Sequence, residues 1–168
     1  MFIDETGLNT KLARNYGRCP MGQRCTSAIP HGHWQSSTFI AALRYESITA
    51  PFLVEGPVDA DVFRAYLEHV LCPQLHEGDT VILDNLSTHK IQDVARILSP
   101  QGVNVRYLPP YSPDFNPIEP AFAKLKAHLR QAAARTWGGL YSALVPALNS
   151  FSAQHCQGFF HHAQYASM

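Results

Sequence analysis

The stretch YLPPYSPDFNPIEPAFAKLKAHLR, residues 107–130, places four prolines ahead of Glu119 and a fifth directly after it. Proline fixes φ at about −65° and disfavours helix in the preceding residue, so the stretch predicts a rigid, extended approach to a helix. With Asn116 as N-cap and Pro117 at the first helical position, Glu119 is a capping-box residue. Alternatively, Pro120 takes the first helical position and Glu119 is itself the cap. A third interpretation is that the stiff loop holds the Glu119 carboxylate at a functional site.

Length and composition bound the fold around this stretch. The chain has 168 residues, of which 46% are hydrophobic, so we expect one domain over residues 1–168. The formal net charge is zero, which gives no argument from bulk charge for a nucleic-acid partner. All 13 acidic residues lie at or before Glu119, so the C-terminal quarter is basic. No apolar run approaches the ~18 residues that span a bilayer, so we expect no membrane association.

Hydrophobic periodicity predicts the order β-β-β-α-β-α-β-α followed by further helices, a mixed sheet with helices on both faces. The predicted elements are a very short strand ending at Asp4, a hairpin of STFIAALR and ITAPFLVEG, a helix capped by Asp59, a buried strand DTVILDN, a short helix KIQDVARIL, a strand VNVRYLP, the helix near Glu119, and an apolar C-terminal segment broken near Pro146.

Three acids stand at informative places in this order. Asp4 closes the first strand, Asp84 closes the buried strand, and Glu119 lies at the mouth of the helix after the last strand. Ligands of open α/β sheets gather outside the carboxyl ends of central strands, where two of these acids meet if their strands are neighbours. Three carboxylates within ~4 Å repel by about 4 kcal/mol per pair at an effective dielectric of 20. A cluster of this kind therefore calls for protonation or a cation, and Mg²⁺ suits a few carboxylates best.

The motifs FIDETG, ILDNLSTHK and LPPYSPDFNPIEPAFAKLK closely resemble the catalytic domain of DDE transposases, in the bacterial insertion-sequence branch of the mariner superfamily. The 34 residues between Asp84 and Glu119 equal the family's spacing. The resemblance runs from Phe2 into the C-terminal helices. It implies an α/β, RNase H-like, mixed five-stranded sheet flanked by helices, with extra C-terminal helices. It also implies that Asp4, Asp84 and Glu119 are the catalytic ligands of two Mg²⁺ ions, with Mn²⁺ as a substitute.

The resemblance further implies metal-dependent DNA strand cleavage and strand transfer. Two ions activate a water, and later a DNA 3′-hydroxyl, for in-line attack on a phosphodiester. Asn85 and His89 are expected to support the site by orienting water or DNA. The basic residues expected to contact DNA phosphates are Lys124, Lys126 and Arg130. For each of these the ordinary alternatives stay open, a polar turn residue or a solvated basic face.

The expected partners are transposon ends, target DNA and a second copy in a homodimer. Family members carry helix-turn-helix modules ahead of the catalytic domain, and none precedes it here, so we expect an upstream transposase segment to supply one, by frameshift fusion, or the chain to be a truncated remnant. The expected location is the cytoplasm, with nucleoid association on DNA.

Two rival interpretations stay open. One is a catalytically silent DNA-binding or assembly remnant whose first strand does not hold Asp4 in place. The other is a zinc module, whose suitable ligands have a spacing that fits no common structural pattern; they are Cys19, Cys25, His31 and His33.

Overall fold

The structure is a computed structural model that describes residues 1–14, 16–26, 34–84, 90–110 and 112–165. Its regular elements follow the predicted order. The strands are β1 (Phe2–Asn9), β2 (Ser36–Leu43), β3 (Ile48–Glu55), β4 (Thr80–Leu83) and β5 (Asn104–Tyr107). The helices are α1 (Ala60–Tyr66), α2 (Lys90–Leu98), α3 (Ile118–Ala132), α4 (Trp137–Asn149) and α5 (Ala153–His162).

The five strands form one mixed sheet in the order β3-β2-β1-β4-β5. β1 pairs antiparallel with β2, and β2 with β3, whereas β4 runs parallel to both β1 and β5. The expected α/β, RNase H-like sheet is confirmed, and α4 and α5 are the expected extra C-terminal helices. None of the described helices is long and apolar enough to cross a membrane.

The first strand is longer than the sequence suggested. All eight residues of β1 pair with β2, and Gly7 lies opposite Thr38 within the ladder. The expectation of a very short strand that ends at Asp4 is therefore wrong. β2 is equally long, so its backbone forms hydrogen bonds with the second half of β1. A turn at that point in β1 would leave the same backbone groups without partners. Asp4 thus lies inside β1, just past the two residues that pair with β4.

The two faces of the sheet carry two separate cores. Alternate residues of β1 face opposite sides, so Phe2 packs with α3, α4 and α5, and Ile3 packs with α1 and α2. Leu125 and Leu129 of α3 are buried in the first core, whereas Tyr66 and Leu71 belong to the second. Helix α3, which carries Glu119, therefore covers the face of the sheet to which Phe2 points.

Helix ends confirm one local prediction and correct another. Asp59 caps α1, and its carboxylate accepts the Val62 N–H at 2.9 Å. Pro146, by contrast, does not break the C-terminal segment but lies inside α4. It sits in the last turn, where its carbonyl still accepts the Ser150 N–H. The break falls later, where Ser152 caps α5 through the His155 N–H.

Candidate active site

Strand register brings Asp4 and Asp84 to the same edge of the sheet. Phe2 lies opposite Ile82, and both belong to the core beneath α3. Asp4 and Asp84 follow these two residues by two positions each, and Asp84 comes directly after the end of β4. Because side chains alternate along a strand, both carboxyl groups fall on the face that α3 covers.

Glu119 reaches this edge from the first turn of α3. The helix begins at Ile118, and its N-cap is Pro117, which makes no side-chain capping bond. The Glu119 N–H donates to the Asn116 carbonyl at 3.2 Å. The two structural interpretations of Glu119 are therefore wrong: Asn116 is not the cap of a capping box, and Glu119 is a helical residue rather than the cap ahead of Pro120. Glu119 is exposed.

Asp4 is held at both carboxylate oxygens by uncharged donors. The Glu5 N–H donates to Oδ1 at 2.7 Å, and the Asn116 Nδ2 donates to Oδ2 at 3.0 Å. Burial raises the pKa of Asp4 to about 7; the Glu5 N–H opposes this rise, the negative charges of Asp84 and Glu119 add to it, and the Asn116 amide opposes it. The carboxyl groups of Asp84 and Glu119 are therefore both close enough to act on the charge of Asp4.

The donor set suits a hard divalent cation. Carboxylate oxygens are the ligands that Mg²⁺ and Mn²⁺ prefer. Beside them lies an amide oxygen, Asn116 Oδ1, which is buried and has no hydrogen-bond partner among the described residues. Within the described residues, no three Asp, Glu, His or Cys side chains are close enough together to hold a metal ion. The three acids thus share one edge and fit the expected metal in chemistry, without forming a closed ligand cluster.

Lys124, one of the expected DNA contacts, lies against the C-terminal helices. Its Nζ is 2.7 Å from Nδ1 of His155 and 4.6 Å from the centre of the Phe151 ring. Burial lowers the pKa of Lys124, which a nearby Cys156 opposes. This ammonium therefore packs between α3 and the start of α5.

Lys126 and Arg130 occupy a different face of α3. They follow Glu119 by seven and eleven residues, which is about two and three helical turns, so they share its side of the helix. Both are partly exposed. A basic strip thus continues from the Glu119 end of the site along α3, and Lys124 is not part of it.

Several expected residues lie outside the described part of the chain: Asn85, His89, His31 and His33. The two cysteines of the possible zinc module are described, and both are free and exposed. The Cys19 thiol contacts the Gln23 carbonyl at 3.1 Å. Because two of its four ligands lie outside the described residues, the zinc interpretation stays untested, and the supporting roles of Asn85 and His89 stay predictions.

Sequence reasoning missed the Asn116 side chain as a partner of Asp4. Asparagine before Pro-Ile-Glu fits the pattern of a helix cap, so the sequence predicts that role instead. Its one distinguishing signal is its place in the same motif as Glu119, three residues earlier. Nothing local to that motif points to a contact with β1.

Residues 1–138 match the family model described as DDE superfamily endonuclease, and the matched region contains Asp4, Asp84 and Glu119. The chain belongs to the DDE superfamily of endonucleases. No curated protein is similar enough in sequence to match it.

Solved structures of the Mos1 mariner transposase share the fold of this DDE chain. The Mos1 paired-end complex with the left transposon end aligns with a TM-score of 0.73 at 17% identity, over 96% of this chain and 51% of the Mos1 chain. The Mos1 paired-end complex with Mn aligns with a TM-score of 0.69 at 16% identity, over 96% and 51%. The isolated catalytic domain of Mos1 aligns with a TM-score of 0.60 at 13% identity, over 98% of this chain and 78% of the Mos1 chain. This DDE chain therefore spans about half the length of the Mos1 chains in the complexes.

Proposed function

We propose that this chain is the catalytic domain of a transposase, which cleaves DNA strands and joins them to a target with the help of divalent metal ions. The observation that carries the proposal is Asp4. Its carboxylate is fixed by two neutral donors, and the negative charges of Asp84 and Glu119 both act on it. Membership of the DDE endonucleases, over a region that contains all three acids, supports the same function.

The three acids are proposed to hold two Mg²⁺ ions, with Mn²⁺ as a substitute. When bound, such ions neutralise charge on a phosphodiester and lower the pKa of the attacking hydroxyl. The chain itself fixes where the three carboxyl groups stand. β1 and β4 place Asp4 and Asp84 side by side, and the proline-stiffened loop sets where α3 begins and so where Glu119 stands. Such pre-organisation reduces the entropy cost of gathering ligands.

The DNA is proposed to run along the Glu119 face of α3, where Lys126 and Arg130 contact phosphates. Lys124 is the weakest member of the expected basic set, because its ammonium already packs against His155. Solved Mos1 structures include complexes with transposon ends, which supports DNA as the partner. Recognition of specific ends by an upstream helix-turn-helix segment, assembly as a homodimer and a cytoplasmic, nucleoid-associated location belong to the same proposal.

The decisive experiment is cleavage of supercoiled DNA with Mg²⁺ or Mn²⁺. Asp84→Asn is expected to lower the cleavage rate about a hundredfold or more, because metal ions contribute several kcal/mol to such reactions. Asp79→Asn is the matched control, since it makes the same change at the other end of β4, away from the site. It is expected to keep the parent rate at temperatures where it is folded.

Two outcomes contradict the proposal. Equal cleavage by Asp84→Asn and the parent removes Asp84 from the site. A folded parent that binds DNA but never cuts it, with either metal, favours the silent DNA-binding remnant.

A further inference from the structure

Asn116 is a buried side chain whose place in the fold is not explained by helix capping. It is 4% exposed and lies between the proline-rich loop and α3. Its backbone is satisfied locally, because its N–H donates to the Pro113 carbonyl at 2.9 Å and its carbonyl accepts the Glu119 N–H at 3.2 Å. The side chain makes none of these bonds and is therefore available for another role.

The amide of this side chain points its nitrogen at Asp4. Nδ2 donates to Oδ2 of Asp4 at 3.0 Å, across 112 positions of sequence. An ionised carboxylate only accepts hydrogen bonds, so the amide nitrogen is the end that faces it. Asn116 thus connects two of the three acids, Asp4 through its side chain and Glu119 through its backbone.

The other end of the amide is left without a partner. Oδ1 of Asn116 is buried and accepts no hydrogen bond from the described part of the chain. Leaving a buried acceptor unsatisfied destabilises the fold, so this side chain is not placed to maximise local hydrogen bonding. Among the residues that the structure describes, the Asn116 side chain bonds to Asp4 alone.

A neutral donor has a specific advantage at this position. An arginine or lysine beside Asp4 neutralises the carboxylate and competes with a metal ion for it. An amide fixes the orientation of the carboxylate while its negative charge is kept for a cation. Hydrogen bonds of this kind from outside the ligand set typically change metal affinity 10–100-fold.

We propose that Asn116 is a positioning residue of the metal site, which holds the Asp4 carboxylate in the orientation that binds a divalent ion and ties it to the start of α3. This inference rests on the proposed function. It assigns Asn116 no contact with DNA.

The test measures Mn²⁺ binding to the full chain without DNA, by calorimetry or by the electron paramagnetic resonance of free Mn²⁺. Asn116→Leu keeps the size of the side chain and removes the donor. Its Kd for Mn²⁺ is expected to rise about tenfold, at the lower end of the range for such partners. Asn116→Ser, which is too short to reach Asp4, is expected to behave in the same way.

Tyr66→Phe is the matched control. It removes a different buried hydrogen bond, from the Tyr66 hydroxyl to the Ala50 carbonyl at 3.1 Å, in the core on the opposite face of the sheet. It is expected to lower the melting temperature in EDTA while the Kd for Mn²⁺ stays within about twofold of the parent value, because no acid of the site is touched.

Each result decides the question. A Kd that rises in both Asn116 variants and not in Tyr66→Phe supports the positioning role. A Kd unchanged in the Asn116 variants, with loss of binding in Asp84→Asn, overturns the positioning role and leaves the proposed function standing. A parent that does not bind Mn²⁺ overturns both. If neither Asn116 variant folds, the residue serves folding and the positioning role is overturned.

Discussion

Asp4 and Asp79 belong to the same sheet and have opposite electrostatic surroundings. Asp79 precedes β4 and is paired with Arg44, with Nη1 at 2.9 Å and Nη2 at 2.5 Å from its two oxygens. This pairing lowers the pKa of Asp79 to about 2. Asp4 lies level with the other end of β4, accepts hydrogen bonds from two neutral donors, and has a pKa raised to about 7.

The difference shows how one sheet separates stability from function. At the Asp79 end, a cation from the protein completes the charge balance, so the pair favours the folded state. At the Asp4 end, the donors that the described residues give Asp4 fix its orientation without neutralising it, and two further acids add to the negative charge. Local choices that oppose folding are expected where a site must bind something else.

The largest expected effect is on the pH dependence of stability in EDTA. A carboxyl group whose folded pKa is raised contributes stability that is fully present below its unfolded pKa, here 3.8, and is lost as pH rises through about 7. Between pH 8 and pH 5 we therefore expect the parent to gain about 2 kcal/mol relative to Asp4→Asn, after allowance for solvent screening. This corresponds to about 4–8 °C in a domain of this size.

Asp79 is the internal control for that measurement. Its pKa is lowered, so its contribution is present above about 3.8 and is lost as pH falls through about 2. Asp79→Asn and the parent are thus expected to give parallel melting curves from pH 8 to pH 5. If Asp4→Asn also runs parallel to the parent, the contrast between the two aspartates is wrong.

The second largest effect is expected when the cation that pairs with Asp79 is removed. Arg44→Met is expected to lower the free energy of unfolding at pH 7 by about 1.5 kcal/mol, because charged hydrogen bonds contribute about 1.5–3 kcal/mol and this pair is partly exposed. The melting temperature is expected to fall by about 3–6 °C, as measured by circular dichroism. The loss is expected to shrink as pH falls from about 3.8 through about 2, because Asp79 binds a proton in the unfolded chain first and in the folded protein last.

Asp61→Asn is the control for this effect, because it removes an exposed pair. Arg64 contacts Asp61 at 3.2 Å on α1, but the Asp61 side chain is 86% exposed. Exposed pairs of this kind contribute about 0–1 kcal/mol. An equal loss of stability in both variants contradicts the special role given to the Arg44 pair.

The smallest expected effect is a change in which protein, the parent or Asp84→Asn, has the higher melting temperature. In EDTA, Asp84→Asn is expected to raise the melting temperature by about 2–4 °C, because ~1 kcal/mol of repulsion with Asp4 is relieved. In ~10 mM Mg²⁺ the parent is expected to be the more stable, since binding adds RT ln(1 + [L]/Kd) to its stability and less to that of the variant. Melting curves in both solutions measure the reversal.

Asp79→Asn again sharpens the result. It removes the partner of Arg44 and is expected to lower the melting temperature with and without Mg²⁺. Shifts of the same sign for Asp84→Asn in the two solutions contradict the clustering of the three acids.

Most elements were predictable because their signals are local. The run KIQDVARIL has helical period and is α2 from its first residue to its last. The apolar run before Asp84 is β4, as expected for a strand buried on both faces. Asp59 caps α1 through a bond that spans three residues. Periodicity and capping act over one or two turns, so a single sequence contains the information.

Errors arose where partners are distant in sequence. The length of β1 depends on β2, which supplies a ladder of eight residues and keeps Gly7 extended. Helix α4 continues through Pro146, although the proline removes one backbone donor, because Leu140, Leu144 and Ala147 of the same helix are buried in the core. Lys124 packs on His155, so its charge is partly used within the fold.

The sequence by itself determined the types and order of the elements, the three acids and the stiff approach to Glu119, because hydrophobic period, proline geometry and motif spacing are properties of neighbouring residues. Only the tertiary structure decided what those acids face. Asp4 meets Asn116 because parallel pairing of β1 with β4 and docking of α3 bring together residues 112 positions apart. Asp79 meets Arg44 across 35 positions by the same kind of packing. Charge balance at each end of the sheet depends on these distant contacts, so no local pattern distinguishes the aspartate that stabilises the fold from the one proposed to bind metal.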